Sequence, residues 1–486
     1  MFIGGLDIGT TGCKLTIFNE NGEFVFNSYC EYKASRTCSG HELDGAAVWE
    51  GVKQVVRECA ANSGKIDAIG VTSFGETFVM LDENDRVLRN SLLYTDPRGA
   101  QQCEALVEKV GKEKIISVCG MLPHQMYSLP KAMWIKENEP DIYSKAKHIL
   151  LYEDFIVYML SGVAQINYSL AARTMAFDIR KKSWDRDILD AAGINISLFA
   201  NCVPPGTVAG KVRSEVAAET GLSEDTVIVS GAHDQVASAV GAGVLDLNLA
   251  VDGIGTVECV TPVFDTIPTD PEFYDKGYAV VPYALDNTYC CYVLSYTGGA
   301  VTQWYKDNFK SHITDNVFGV LEAGMPDDPT GILVLPHFAG AATPYMDIES
   351  KAAIVGLTLA NDHNDIYKAL LEGVSYEMRL NIENTGFLKL DKLYATGGGS
   401  KSDKWMQIKS DILGLPYITL DAKEVGAAGT AMLTAVAIGV FPSLAEAKKK
   451  FVKEKSVFYP DMQKHEEYTR HYERYKGMYK AIRPLV

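Results

Sequence analysis

Cysteine pairing is the first thing this sequence lacks. Its 10 cysteines are scattered from Cys13 to Cys291 with no CxxC pair and no histidine cluster at metal-ligand spacing, which argues against a zinc site and for buried free thiols. Cys290 and Cys291 adjoin, and strand alternation would turn them to opposite faces. No apolar run reaches the roughly eighteen residues that a membrane-spanning helix needs. Basic residues are also short: 46 Lys and Arg against 62 Asp and Glu leave a net charge of −16. That balance works against nucleic acid as a partner, since binding its phosphate backbone relies on clustered Lys and Arg. The opening MFIGGLDIGTTG carries Asp7 early and no basic region, so it does not read as a secretory signal, and the chain is expected in the cytoplasm. A P-loop is missing too. The nearest approach, GTVAGKV at 206–212, has one residue too few and no Ser or Thr after its lysine.

What is present suits a large enzyme-sized globule. At 486 residues the chain exceeds what one core supports, so two domains are expected. Strands are expected at FIGGLDIG and CKLTIF, then, after an Asn21-Gly22 turn, at EFVFNSY, with further strands at IDAIGVTS, TVIVSGA, LAVDGIG, TYCCYVLSY, GILVLPHF and KLYATGG. Helical spacing marks 44–61, 129–138, 234–242, 364–386 and 402–413. This alternation indicates an α/β architecture. A weak internal repeat relates IGGLDIGTTGCKLTIF to LAVDGIGTVECVTPVF, which share an IGT core. The simplest explanation is two related lobes facing one another. The first copy has Asp7 where the second has Gly253, so a single carboxylate would sit beside two phosphate-binding turns.

Four clusters carry candidate chemistry. The turn from Asp7 to Gly12 offers glycines for close backbone approach, the hydroxyls of Thr10 and Thr11, and Lys14 nearby; an ordinary hairpin is the alternative. His233, Asp234 and Gln235 stand where an apolar strand enters a small-residue helix, at the sheet mouth where ligands bind, although Asp234 could equally be a helix cap. Glu76, Asp96 and Arg98 lie on successive strand-end turns and could hold several hydroxyls, or Asp96 and Arg98 could merely pair. The triple glycine Gly397-Gly398-Gly399 presents backbone N–H groups before a helix, and a second small-residue helix at 424–439 could pack behind it. Tyr468, Tyr472, Tyr475 and Tyr479 form a docking stripe, and Lys448, Lys449 and Lys450 a solvated helix surface.

In this order and approximate spacing, DIGTT, HDQ, GIGT, GGAVTQW, ATPYMD…AAIVGLT and GGGSKSDKWMQIKSDILGLP resemble the FGGY carbohydrate kinase family over nearly the whole chain. The resemblance implies two actin-like, ribonuclease-H-like lobes with a nucleotide cleft between them, 1–247 binding sugar and 248–486 binding ATP. It implies ATP-dependent phosphorylation of a hydroxyl on a small ketose or polyol, with Mg²⁺ held at Asp7 beside Thr10 and Thr11. Gly255 and Thr256 would form the second phosphate turn, Gly298 and Gly299 would border the nucleotide, and Gly398 and Gly399 would lie against adenosine. Asp234 matches the family's general base, and Glu76, Asp96, Arg98, Asp234 and Gln235 are the expected sugar contacts. Substrate signals conflict. Glu76 and Gln235 are similar to glycerol kinases, but Gly75 replaces their arginine; His233 and SFG with VMLD resemble deoxyketose kinases; the QMHG of xylulose kinases is absent. A homodimer is plausible from the family. The same fold could instead serve an ATP-gated chaperone or filament module, or a non-catalytic sugar sensor.

Overall fold

The computed structural model describes residues 1–37, 40–309, 316–422 and 424–486. In the first half, apolar alternation punctuated by glycine turns folds β1 (Phe2–Ile8), β2 (Gly12–Asn19) and β3 (Phe24–Glu31) into an antiparallel meander. Gly22, at φ 74°, makes the second turn in a conformation that costs glycine little. Helix α1 (Gly45–Ser63) is capped by Asp44, which accepts the N–H groups of Ala46 and Ala47, and it buries Val48, Val52, Val55 and Val56. β4 (Ala68–Ser73) joins β1 in parallel. After α2 (Ser128–Asn138), β5 (Thr207–Lys211) and β6 (Val227–His233) complete a six-stranded sheet in the order β5-β6-β4-β1-β2-β3. α3 (Asp234–Gly241) leaves the carboxyl end of β6.

The second half repeats this plan. β7 (Leu249–Ile254) runs antiparallel to β8 (Glu258–Phe264). Then come β9 (Val280–Pro282), β10 (Tyr289–Cys291), β11 (Val293–Ser295), α4 (Ala300–Phe309) and α5 (His363–Glu383). They are followed by β12 (Lys392–Thr396), α6 (Asp403–Leu413), β13 (Tyr417–Leu420), α7 (Val425–Ala437), β14 (Glu454–Phe458) and α8 (Met462–Tyr475). β7 pairs antiparallel with β8 and parallel with β12, as β1 does with β2 and β4. The repeat visible in sequence is thus a repeat of topology.

Several elements depart from the expectation. TYCCYVLSY is interrupted at Tyr292, so β10 and β11 pair separately with β8; the break coincides with the Tyr292 hydroxyl reaching His233. GILVLPHF is regular only over Leu333–Leu335. Among the lysines, Lys449 pairs with Glu446 at the surface, but Lys448 is half-buried and donates to the Gly243 carbonyl at 2.6 Å, tying the chain's end to the first half. Three of the four stripe tyrosines dock, Tyr468, Tyr472 and Tyr475 being buried and donating to Glu372, Glu383 and Glu377 on α5, whereas Tyr479 lies half-buried on a separate short helix and donates to Asp347. The nine cysteines among the described residues are free, and Cys290 and Cys291 are both buried.

Helix α7 does not pack behind the triple glycine as expected. It packs on β1, β4 and, most closely, on α3. A Cβ on Gly429 would lie 1.9 Å from the Ala237 carbonyl oxygen, and one on Gly241 1.9 Å from that of Val425. The two helices therefore touch backbone to backbone, and no side chain fits between them. Gly429→Val should cost about 3 kcal/mol or more, at the upper end of overpacking penalties, read as a lowered midpoint in urea denaturation.

Candidate active site

The Asp7–Gly12 turn joins β1 to β2 and is closed by Gly9 N–H donating to Gly12 at 2.9 Å. It leaves Thr10 half-buried and Thr11 exposed. Asp7 lies opposite Lys14 in the register. Burial pushes its carboxyl up to about 6; Lys14 opposes the shift and Glu424 adds to it. A desolvated carboxylate of this kind gains from a cation placed beside it.

Asp234 is the first residue of α3 rather than its cap; that position belongs to His233. Its Oδ1 accepts the neighbouring Gln235 N–H at 2.6 Å. The side chain is recessed yet keeps 36 % of its surface open. Burial raises it to about 8, followed by repulsion from Asp7; Glu76 adds to the rise and Arg173 opposes it. His233 is held well below the usual imidazole range by burial and by Arg173, so it is neutral. Its Nε2 lies 3.3 Å from Asp234 Oδ1 and its Nδ1 2.8 Å from the Tyr292 hydroxyl. When Asp234 is ionised its carboxylate can only accept, and in that state Nε2 carries the proton and Nδ1 accepts from Tyr292.

Glu76 adopts a left-handed backbone at φ 65°, a strained choice for a non-glycine residue and one that clusters at functional sites. Its carboxylate accepts Arg173 Nε at 2.6 Å and also pairs with Nη2. Arg173 lies between the rings of Tyr127 and Tyr292, 5.2 and 5.4 Å from their centroids. A Cβ on Gly75 would come within 2.9 Å of Arg173 Cγ. The stem of Arg173 therefore runs past Gly75 and leaves no room for a side chain there. Sequence reading missed Arg173 and Tyr292; an arginine inside the apolar stretch AARTMAF was the available signal, since a buried guanidinium requires a carboxylate partner.

Asp96 and Arg98 stand differently. Asp96 is buried and both of its oxygens are engaged, by Arg98 Nε at 2.8 Å, Arg98 Nη2 at 2.7 Å and the His41 N–H at 2.7 Å. Arg98 also pairs with Glu42 at 2.6 Å. The ion pair expected as the alternative is therefore formed, but as a buried fork rather than a surface contact.

In the second half, Gly255, Thr256, Gly299, Gly398 and Gly399 line one cavity of about 730 Å³ together with α4 residues, Ser402 and Trp405. Gly298 lies just behind it, donating its N–H to Thr256, while Gly299 donates to Gly255. Some glycines are there for packing: a Cβ on Gly299 would lie 2.9 Å from Gly255 O, and one on Gly399 2.3 Å from the Ile254 side chain. Gly398 differs, because a Cβ there would meet nothing within 4 Å. Such a cavity is large enough for a nucleotide. No group of three or more His, Cys, Asp or Glu among the described residues could hold a metal alone. One or two carboxylates plus phosphate oxygens are what Mg²⁺ ordinarily takes, so the half-buried Asp7 carboxylate fits that ion.

Two family models match the chain: the FGGY family of carbohydrate kinases, N-terminal domain, over residues 2–241, and its C-terminal domain over 283–438. The chain belongs to the FGGY family of carbohydrate kinases. It is 28 % identical to xylulose kinase of Bacillus subtilis (strain 168), covering 100 % of this chain and 98 % of that relative. It is 27 % identical to Escherichia coli (strain K12) xylulose kinase, covering 100 % of both, and 27 % identical to glycerol kinase 2 of Saccharolobus solfataricus, covering 98 % and 96 %. The ligand-bound xylulose kinase from Lactobacillus acidophilus superposes with a TM-score of 0.91 at 23 % identity over 99 % of this chain and 98 % of that one. The fold is the two-lobed, actin-like α/β architecture expected. The chain is a carbohydrate kinase, an ATP- and Mg²⁺-dependent phosphotransferase acting on an alcohol group. These likenesses lend no support to a chaperone, filament or sensor role.

Arg173→Met should strand Glu76 without its partner and cost about 3–5 kcal/mol of stability, measured by denaturant unfolding. Glu76→Gln in the same chain should recover a large part of that loss, since the buried charge is then gone.

Proposed function

We propose that this kinase transfers the γ-phosphoryl group of ATP to a hydroxyl of a five-carbon ketose of the xylulose type, with Asp234 as the general base. The observation that carries the mechanism is the Asp234 carboxylate, recessed at the start of α3 and pushed up to about 8 by burial and by Asp7. A base poised near the working pH takes a proton and releases it readily. His233 fixes its orientation. Bound MgATP supplies the phosphoryl group and the divalent charge on its oxygens. Asp7 is assigned to the metal, with Thr10 and Thr11 donating to phosphate oxygens. Gly255, Thr256, Gly298, Gly299, Gly398 and Gly399 are assigned to the nucleotide, the last two against adenosine. Phosphoryl transfer has a loose transition state, so alignment and charge neutralisation are the main tasks of these side chains.

Glu76, Asp234 and Gln235 are the proposed hydroxyl contacts, with Arg98 as a further donor and Asp96, its oxygens already engaged, holding that guanidinium in place. Support for xylulose comes from full-length relatives that carry that name. A polyol such as glycerol is the second reading, favoured by the relative named glycerol kinase 2 and by Glu76. We assign 1–247 to the sugar and 248–486 to ATP, a division supported by family matches ending at 241 and resuming at 283. Free thiols suit the reducing cytoplasm, which is our proposed location. A homodimer is proposed from the family, and light scattering at micromolar concentration tests it.

Asp234→Asn should lower turnover about 10²–10⁴-fold while ADP affinity, measured by calorimetry, changes little; near-normal turnover would remove Asp234 from the role. In the unmodified enzyme only ionised Asp234 accepts the proton. Thus kcat/KM should climb tenfold per pH unit below about 8 and level above it, and a flat profile between pH 6 and 8 would contradict the assignment. The limb in kcat should lie lower, because a cation at Asp7 favours the ionised form. Coupled assays across xylulose, ribulose, deoxyketoses, glycerol and erythritol decide the acceptor: xylulose should give the highest kcat/KM, and glycerol leading the panel would select the second reading.

A further inference from the structure

A second charged cluster lies outside the catalytic cleft. Lys409, in the middle of α6, places its Nζ 2.5 Å from Glu258 Oε1 and 3.2 Å from Asp252 Oδ2, and all three side chains have no exposed surface. Tyr417 donates to the same Asp252 oxygen at 3.2 Å. Asp252 Oδ1 and Glu258 Oε2 have no hydrogen-bond partner among the described residues. Two carboxylates and one ammonium in a dry interior form an expensive arrangement. Apolar side chains of equal volume would fill such a space at least as stably.

Its location supplies a reason for it. Asp252 is on β7 and Glu258 on β8, and Glu258 is paired across the hairpin with Ile254. The two carboxylates thus sit on the two legs of the hairpin whose tip is Gly255-Thr256. Lys409 grips both legs from α6, the helix capped by Ser402. Its ammonium also lies 5.5 Å from the centroid of Trp405, and Ser402 and Trp405 form another wall of the cavity that Gly255 and Thr256 line. Gly397 and Gly399 close against Ile254 from the same side. One ion cluster therefore links the walls of the cavity from behind.

We infer that Lys409, Asp252 and Glu258 are positioning residues for the nucleotide, fixing the Gly255-Thr256 hairpin against the first turn of α6 so that ATP meets a preformed cavity. This rests on the nucleotide reading of that cavity given above. A ligand bound across two walls is weakened when their separation is no longer fixed, because binding must then order them. The sugar contacts, on the other half of the chain, should be indifferent.

The test uses the full-length enzyme. Glu258→Gln, close in shape, should raise the ADP dissociation constant by calorimetry, and KM for ATP, about tenfold, with KM for the sugar identified by the panel within twofold. Lys409→Met should do more. If Lys409→Met does not fold, Glu258→Gln alone decides. Unchanged ADP affinity in folded Glu258→Gln, or equal rises in both KM values, overturns the inference. Gly398→Val separates this failure from that of the underlying reading. Gly398 has helical φ and ψ of −64° and −40° and faces open space, so valine there fills the cavity without strain. If Gly398→Val abolishes ADP binding while Glu258→Gln leaves it intact, only the positioning role falls; if Gly398→Val binds ADP normally, the nucleotide reading itself falls.

Discussion

Where α3 crosses α7, the carbonyl groups of Ala237 and Val425 occupy the space that side chains on Gly429 and Gly241 would need. Each helix follows an interior strand of its own half, β6 or β13, and each has a carboxylate at its N-terminus, Asp234 as the first residue of α3 and Glu424 as the cap of α7. Because backbone meets backbone, the separation between the two halves is set by peptide groups rather than by adjustable side chains. The charge geometry of the cleft depends on that fixed distance. Asp7 feels Glu424 from the far half and Asp234 feels Asp7 across the first sheet.

Gathering Asp7, Glu76 and Asp234 in one recess is electrostatically unfavourable. Arg173 offsets Glu76 directly, whereas Asp7 and Asp234 remain desolvated and shifted upward. The cleft is accordingly short of positive charge, which is a sound physical basis for cation-dependent binding of a polyanion in a chain carrying −16 overall. Electrostatic preorganisation of this sort is assembled during folding, and it does not have to be created when substrate arrives.

What could be read from sequence was what is local. Asp7, the Thr10-Thr11 turn, Asp234 at its strand-helix junction and the glycine turns declare themselves because a turn or helix start is encoded within a few residues. The repeat extended that reading to the whole topology. Arg173, Tyr292 and Lys409 escaped notice because their meaning lies in partners 97, 59 and 151 residues away. Asp252 was overlooked for a subtler reason: alignment of the repeats set Gly253 against Asp7, and the carboxylate one residue earlier points to the other face of the strand, where it meets Lys409. Asp96 and Arg98 were recognisable as a pair, but only the fold reveals the saturation of the aspartate by His41 and Arg98.

Tyr292 belongs to the second half of the chain, and His233 to the first. The 2.8 Å contact between them means that the imidazole acquires its outer partner only while the halves are together. Were they to swing apart, Nδ1 would lose its donor, the ring would be free to exchange tautomers, and Asp234 would no longer be steered by a defined N–H. Readiness of Asp234 for the proton transfer proposed for it is in this way conditional on the shape of the whole molecule, and on that reading a gaping enzyme is a chemically idle one.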